Sequence, residues 1–360
     1  MRKTLALLLL LAGCGTTSSP GTTADTASAS DTAASQLRTL ANCETKVGAG
    51  VPAFFQKYFR CADISMDGTD VVLKSTDLPP HVSPYWPATD PNHVAFDTQG
   101  GTRTQNPNTL KAQALTIRIP MAPVAKGLTI TKAMVNAKAG DSAEEYNFGD
   151  GGAGGLALDG VAIFHGVAAP GDDIAQEAHT FDKYEGHPQN SGVYHYHSPS
   201  PGPLEVLAAA KITGIELYGV MCDGALLLGC TELDGKQPDG KDFDAQNGHV
   251  HDIAADGTTY FTQRYHTHLC PATFPADPYA PEIQYYKTCN GGGGQSGGPK
   301  ACTSTADCAA ACPPGSKGCT CADGQGGSKL CVPTCTSDAD CPTGGPAFQC
   351  DTSKGTCKPK

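Results

Sequence analysis

The chain has 360 residues, a formal net charge of -11 and a pI near 5.4. With no block of basic residues, this balance excludes a surface built to neutralise phosphates, so nucleic acid is set aside as a partner. The 17 cysteines point to an oxidising compartment, where thiols pair.

Arg2 and Lys3 precede an apolar run from Leu5 to Leu11, closed by Leu11-Ala12-Gly13-Cys14. The run is too short to cross a bilayer, which takes about 20 apolar residues, and reads as a secretory signal. Small residues directly before a cysteine match a bacterial lipobox, so residues 1–14 form a lipoprotein signal with Cys14 as the lipid attachment site. Residues 15–41 are almost all Thr, Ser, Ala, Gly, Asp and Pro and form a flexible tether with too little apolar surface to fold. Gly15 after the lipid cysteine points to the outer membrane. The expected location is the bacterial cell envelope, with the membrane contacted through the lipid alone.

Residues 42–290 form the body. Phe54, Phe55, Tyr58 and Phe59 recur at three-to-four spacing and predict a short helix over Val51–Phe59, stapled by Cys43 and Cys61. A second helix is expected over Pro203–Ala210. Elsewhere the pattern is strand and turn: Val71–Leu73, Ala114–Ile119, Leu128–Val135, Gly160–Phe164, Ile212–Val220 and Thr258–Phe261 are short, β-branched or aromatic, and bounded by Gly, Pro, Asp and Asn. Residues 291–300 are a Gly-rich linker. In residues 301–360, Cys302-Thr303-Ser304-Thr305-Ala306-Asp307-Cys308 is echoed by Cys335-Thr336-Ser337-Asp338-Ala339-Asp340-Cys341, marking one small disulfide-stapled module or a pair. Without paired Cys-x-x-Cys spacing, zinc is not the expected cross-link there. The expected contact of this tail is a protein or cell-wall partner.

The body repeats itself. Phe181-Asp182, three residues, then Gly186-His187 recurs as Phe243-Asp244, three residues, then Gly248-His249; Tyr194-His195-Tyr196-His197 recurs as Tyr265-His266-Thr267-His268. Gly160–Phe164 resembles Gly214–Tyr218 and reads as a lead-in strand to each block. Neither half, about 156–200 or 210–270, is long enough to bury its own core, so the two are expected to pack on each other with pseudo-twofold placement of the histidines. The fold class is mainly β: a β-rich body of two related halves packed together, plus a small disulfide-rich C-terminal module.

Six of the 11 histidines fall in three His-x-His pairs, where random placement gives about 0.3 such pairs. On a strand, period two sends His195 and His197 to one face and Tyr194 and Tyr196 to the other. Two strand imidazoles and a loop imidazole make a minimal transition-metal site. The candidate ligands are His187, His195 and His197 in the first half, and His249, His266 and His268 in the second, with His251 an alternative to His249. Asp182 and Asp244 are placed to orient an imidazole. His93, His165 and His179 read as ordinary polar residues. A nucleophile elbow, a P-loop, a dinucleotide fingerprint and His-Glu-x-x-His are all absent from the sequence.

The body resembles the YHYH-domain family of secreted proteins. The residues that carry the resemblance are Tyr194-His195-Tyr196-His197, Leu78-Pro79-Pro80-His81, Leu158-Asp159-Gly160-Val161, Gly186-His187, and Tyr265-His266-Thr267-His268 followed by Phe274-Pro275. The resemblance covers roughly residues 70–290 and implies a role for His81. Thr267 and the extra His249-x-His251 depart from the pattern. The leading functional expectation is a lipoprotein that binds copper or zinc through the duplicated clusters. The alternatives are a metal-dependent hydrolase or oxidase with Asp182, Glu185 or Asp244 as general base, and a surface interaction protein whose His/Tyr network is structural.

Overall fold

The computed structural model describes residues 36–135, 146–148, 152–167, 174–270, 279–287 and 289 of the body, and 302, 304–308, 317–323, 329–341 and 348–359 of the tail. Cys14, the signal, most of the tether, the Gly-rich linker and Phe274-Pro275 lie outside the described residues.

The body opens with a four-stranded sheet in the order β1 (Lys46–Val47), β2 (Asp63–Asp67), β3 (Asp70–Ser75) and β4 (Leu115–Pro120). Along β4, Leu115, Ile117 and Ile119 are buried and alternate with half-buried residues, as period two requires. Helix α1 (Ala53–Tyr58) turns Phe54, Phe55 and Tyr58 inward, and the Cys43–Cys61 disulfide ties its exit to the preceding loop. One expected strand is not formed: Thr131 carbonyl accepts the amides of Met134 and Val135. That closes a helical turn, α2 (Lys132–Val135), in place of the end of a strand over Leu128–Val135.

An eight-stranded sheet carries the repeat. It contains β5 (Gly155–Ala157), β6 (Ala162–Ile163), β7 (Gly186–Pro188) and β8 (Tyr194–Tyr196), then β9 (Leu217–Met221), β10 (Leu226–Leu228), β11 (Gly248–Ala255) and β12 (Thr258–His268). The spatial order is β11-β12-β10-β9-β5-β6-β8-β7, which reads the same from either end once the halves are exchanged. Each half has an antiparallel first pair, a parallel second pair and an antiparallel outer pair. The halves join through antiparallel β5 and β9, with Leu156 opposite Val220 at the pseudo-twofold axis.

The pairing corrects one equivalence. Ala162 pairs with His195 as Leu226 pairs with His266, so Gly160–Phe164 corresponds to Gly224–Leu228, not to Gly214–Tyr218. The corresponding turns are Asp159-Gly160 and Asp223-Gly224. Both glycines have positive φ, 82° and 101°, and each aspartate accepts the amide two residues on. Residues 212–216 precede the strand instead, on the exit from α4 (Pro201–Ala209), which follows α3 (Ile174–Glu177).

The sheet separates two cores. Leu156, Ala162, Phe164, Val220, Leu226 and Leu228 join α1 and the four-stranded sheet in one cluster, while Ile163, Tyr194, Tyr196, Leu227 and Tyr265 belong to the other. The long β12 connects them to the site: its Phe261 packs edge-on to Phe54 of α1, with centroids 4.9 Å apart, while its far end carries His266 and His268.

The tail is a pair of small knots. The hairpin of β13 (Cys319–Asp323) and β14 (Lys329–Pro333) is cross-linked by Cys302–Cys321 and Cys308–Cys331. That of β15 (Phe348–Asp351) and β16 (Thr356–Pro359) is cross-linked by Cys335–Cys350 and Cys341–Cys357 in the same pattern.

The glycine of each Gly-His pair has a steric reason. A Cβ on Gly186 would stand 2.5 Å from the Tyr194 ring, which is fully buried and held at its hydroxyl by Asp182. Gly186→Ala is therefore expected to cost about 1–3 kcal/mol, the usual penalty for overpacking. Denaturant unfolding would check this, and an unchanged midpoint would show that the ring is free to move.

Candidate metal centres

The six histidines assemble as two trios at opposite ends of the eight-stranded sheet. In the first, the period of β8 puts His195 and His197 on one face, and β7 brings His187 opposite His195. The Nε2 atoms converge: His187 lies 3.1 Å from His195, and His195 lies 3.0 Å from His197. All three residues are buried.

The far side of each ring fixes its tautomer. His195 Nδ1 lies 3.0 Å from Val193 carbonyl and His197 Nδ1 lies 2.7 Å from His165 carbonyl. A carbonyl only accepts, so both Nδ1 atoms carry the hydrogen. His187 Nδ1 lies 2.7 Å from Thr180 Oγ1, whose own proton goes to Glu177 carbonyl, so Nδ1 donates here too; the Asn106 amide, 3.5 Å from the same nitrogen, makes its shorter bond to Pro188 carbonyl at 3.1 Å. Each neutral imidazole then presents a bare Nε2 lone pair to its neighbours, with no proton between them. Burial pushes all three pKa values well below 6.5, and proximity to another imidazole lowers them further, so protonation does not relieve the repulsion at neutral pH. A metal ion does. Bonds of about 2.0–2.1 Å to a tetrahedral ion place nitrogen ligands roughly 3.3 Å apart, close to the separations observed.

The second trio repeats this plan. His249 on β11 faces His266 on β12, and His249 Nε2 lies 3.2 Å from His268 Nε2. His266 Nδ1 donates to Arg264 carbonyl and His268 Nδ1 to Gly229 carbonyl, the positions equivalent to Val193 and His165. Glu232 completes the group, at 3.0 Å from His249, 3.1 Å from His266 and 3.3 Å from His268, in each case measured to Nε2. His266 Nε2 is out of hydrogen-bonding geometry with that carboxylate, an approach that suits a shared ion better than a shared proton. Burial raises the pKa of Glu232, but its histidine contacts outweigh this and hold it far below the carboxylate range.

Five strand spacings of about 4.8 Å separate β8 from β12, or roughly 24 Å. These are two sites, not one binuclear centre.

Each trio rests on the same frame. Phe181 stacks on His197 and meets His187 edge-on, as Phe243 does with His268 and His249. The aspartates do not orient imidazoles, contrary to their sequence-based role. Asp182 accepts the Tyr194 and Ser83 hydroxyls and the Tyr184 amide; Asp244 accepts the Tyr265 hydroxyl and the Gln246 and Gly248 amides. Their period-two tyrosines face the other core, so the carboxylates follow them there. Glu185 forms a two-pronged bond with Arg103. None of the three is placed as a general base at a trio.

His251 stays outside the second trio, half-exposed, with Nε2 3.0 Å from Asp242. His93 bonds Trp86 carbonyl. His165 lends its carbonyl to His197, and His179 lies in a 3-10 turn. His81 stacks on Tyr184 and meets the Tyr196 hydroxyl at 2.9 Å; that hydroxyl also bonds Asp159. Thus His81 supports the tyrosine face. Sequence reasoning missed Glu232, Glu177, which lies 3.5 Å from His187 Nε2, and the Nδ1 partners Thr180 and Asp242. Aligning the two blocks sets Thr180 against Asp242, the one signal available. Nothing in spacing distinguishes Glu232 from its acidic neighbours.

No family model matches the chain, and no curated protein or solved structure matches it significantly.

Burial lowers the His81 pKa to about 3, whereas an unfolded histidine titrates near 6.5. As pH falls through this window the unfolded chain takes up the proton first, so the contribution of neutral His81 to stability is complete above 6.5 and is lost on acidification. The stability gap between wild type and His81→Gln should shrink by up to about 1.4 kcal/mol per pH unit below 6.5. Denaturant midpoints at pH 7.5 and 5 would test this; a constant gap would refute neutral burial.

Proposed function

We propose that this is a lipid-anchored protein of the bacterial cell envelope that binds copper or zinc at two centres. One comprises His187, His195 and His197; the other comprises His249, His266, His268 and Glu232. The observation that carries the reading is the first trio, where three Nδ1–H groups are engaged outward and three Nε2 lone pairs face each other with no donor among the described residues. Imidazole with carboxylate suits borderline-soft divalent ions. The disulfides of body and tail support an oxidising compartment, and Cys14 in its lipobox setting supports the anchor. Membership of the YHYH-domain family is part of the same proposal, supported by the residues of its motifs.

A metal-free, purely structural role for the clustered imidazoles finds support at the second centre only. There Glu232 and Asp242 can hold a protonated His249, whose pKa burial lowers but these two carboxylates raise above its ordinary value on balance. Among the described residues the first trio has a carboxylate, Glu177, beside His187 only. A hydrolase or oxidase needs a base at the ion, and among the described residues Glu177 beside His187 is the carboxylate nearest that role in the first centre.

Protein purified without an affinity tag should contain, or take up from copper or zinc, about two ions per chain. His195→Ala with His197→Ala should remove one. Strong chelation should lower the unfolding midpoint, since an ion at 100 times its Kd stabilises the native state by about 2.7 kcal/mol. Absence of metal and of uptake by elemental analysis would sink the proposal.

A further inference from the structure

The pseudo-twofold axis permits a residue-by-residue comparison of the two centres, and they differ where it matters for a cation. Phe181 and Phe243 are equivalent, so the residues before them, Thr180 and Asp242, hold the same position. Thr180 offers His187 Nδ1 a neutral hydroxyl oxygen at 2.7 Å, whereas Asp242 offers His249 Nδ1 a carboxylate at 3.1 Å. A carboxylate behind a ligating imidazole fixes the ring and makes its other nitrogen a stronger donor. The near side differs as well. Glu232 approaches all three imidazoles of its trio, and Glu177 approaches His187 at 3.5 Å.

The segment bearing Glu232 is also pinned. Cys230–Cys270 ties it to the end of β12, and the Glu232 amide bonds Lys236 carbonyl at 2.7 Å. Gly166 and Pro199 stand where those cysteines would be in the first half. A divalent ion in the second centre is thus compensated by two carboxylates, on a scaffold cross-linked beside its ligands. In the first, among the described residues, it meets three neutral rings, His195 stacked on Phe164, His197 stacked on Phe181 and His187 edge-on to Phe181, with Glu177 the one carboxylate beside them, at 3.5 Å from His187.

We infer that the second centre retains its ion while the first exchanges it, with Asp242 as the positioning residue that sets the difference. This rests on the reading that both trios bind metal. Asp242 touches no ion itself; it acts through His249, and its other partner, His251, lies at the surface.

The test is zinc titration of the full-length, untagged protein in competition with a chromophoric chelator. Wild type should show a tight and a weak class. Asp242→Asn, which keeps an acceptor but removes the charge, should weaken the tight class by about 10–100-fold and leave the weak class in place. Asp242→Glu should restore it, and Thr180→Asp should tighten the weak class. Should Asp242→Asn fail to fold by circular dichroism, Thr180→Asp decides alone. Two unchanged classes in Asp242→Asn, no tightening in Thr180→Asp, or loss of the tight class in His195→Ala with His197→Ala would each overturn the inference while leaving metal binding intact. A wild type that takes up no zinc would overturn the underlying reading and this inference with it.

Discussion

The body is arranged around an electrostatic problem: buried imidazole nitrogens turned toward each other, with their lone pairs bare in the first half and a carboxylate, Glu232, beside them in the second. In the first half every Nδ1–H is spent on an oxygen behind the ring, and in the second half two of them are spent on backbone carbonyls. These bonds fix both orientation and tautomer, so the Nε2 atoms cannot turn away without leaving a buried donor unsatisfied, at a cost of about 1–3 kcal/mol. A cation held where the rings meet would resolve the conflict. The frame therefore presents a donor geometry already formed, which would reduce the ordering required to bind an ion.

The repeated motif is a packing unit as well as a ligand set. Its phenylalanine covers two imidazoles, its aspartate takes a tyrosine hydroxyl from the next strand, and its glycine leaves room for that tyrosine ring. The histidine after the glycine then lies opposite the first histidine of the Tyr-His-x-His strand. Losing any one of these residues disturbs the others, because tyrosine and histidine alternate on one strand and serve opposite faces of the sheet.

Duplication placed two such units about an axis at Leu156 and Val220, and the halves then diverged in their surroundings. Tyr196, bonded to His81 and Asp159, has Thr267 as its counterpart, whose hydroxyl has no hydrogen-bond partner among the described residues. The first half thus spends polar contacts on the tyrosine face. The second spends them on the ligand face, through Glu232, Asp242 and the Cys230–Cys270 bridge.

The sequence by itself determined the strands that alternate strongly, such as Leu115–Ile119, the α1 stripe with its Cys43–Cys61 staple, the duplication, and the division of His195 and His197 from Tyr194 and Tyr196. All of these depend on local periodicity or on repeated spacing, which a linear chain displays directly. Only the tertiary structure decided that the histidines form two distant trios, that Gly224–Leu228 is the true partner of Gly160–Phe164, and that Asp182 and Asp244 serve tyrosines. It alone brought in Glu232, Thr180 and Asp242. Strand pairing fixes which residues oppose one another, and a carboxylate reaching in from a loop leaves no period in the sequence. Its role is set by where the loop is pinned.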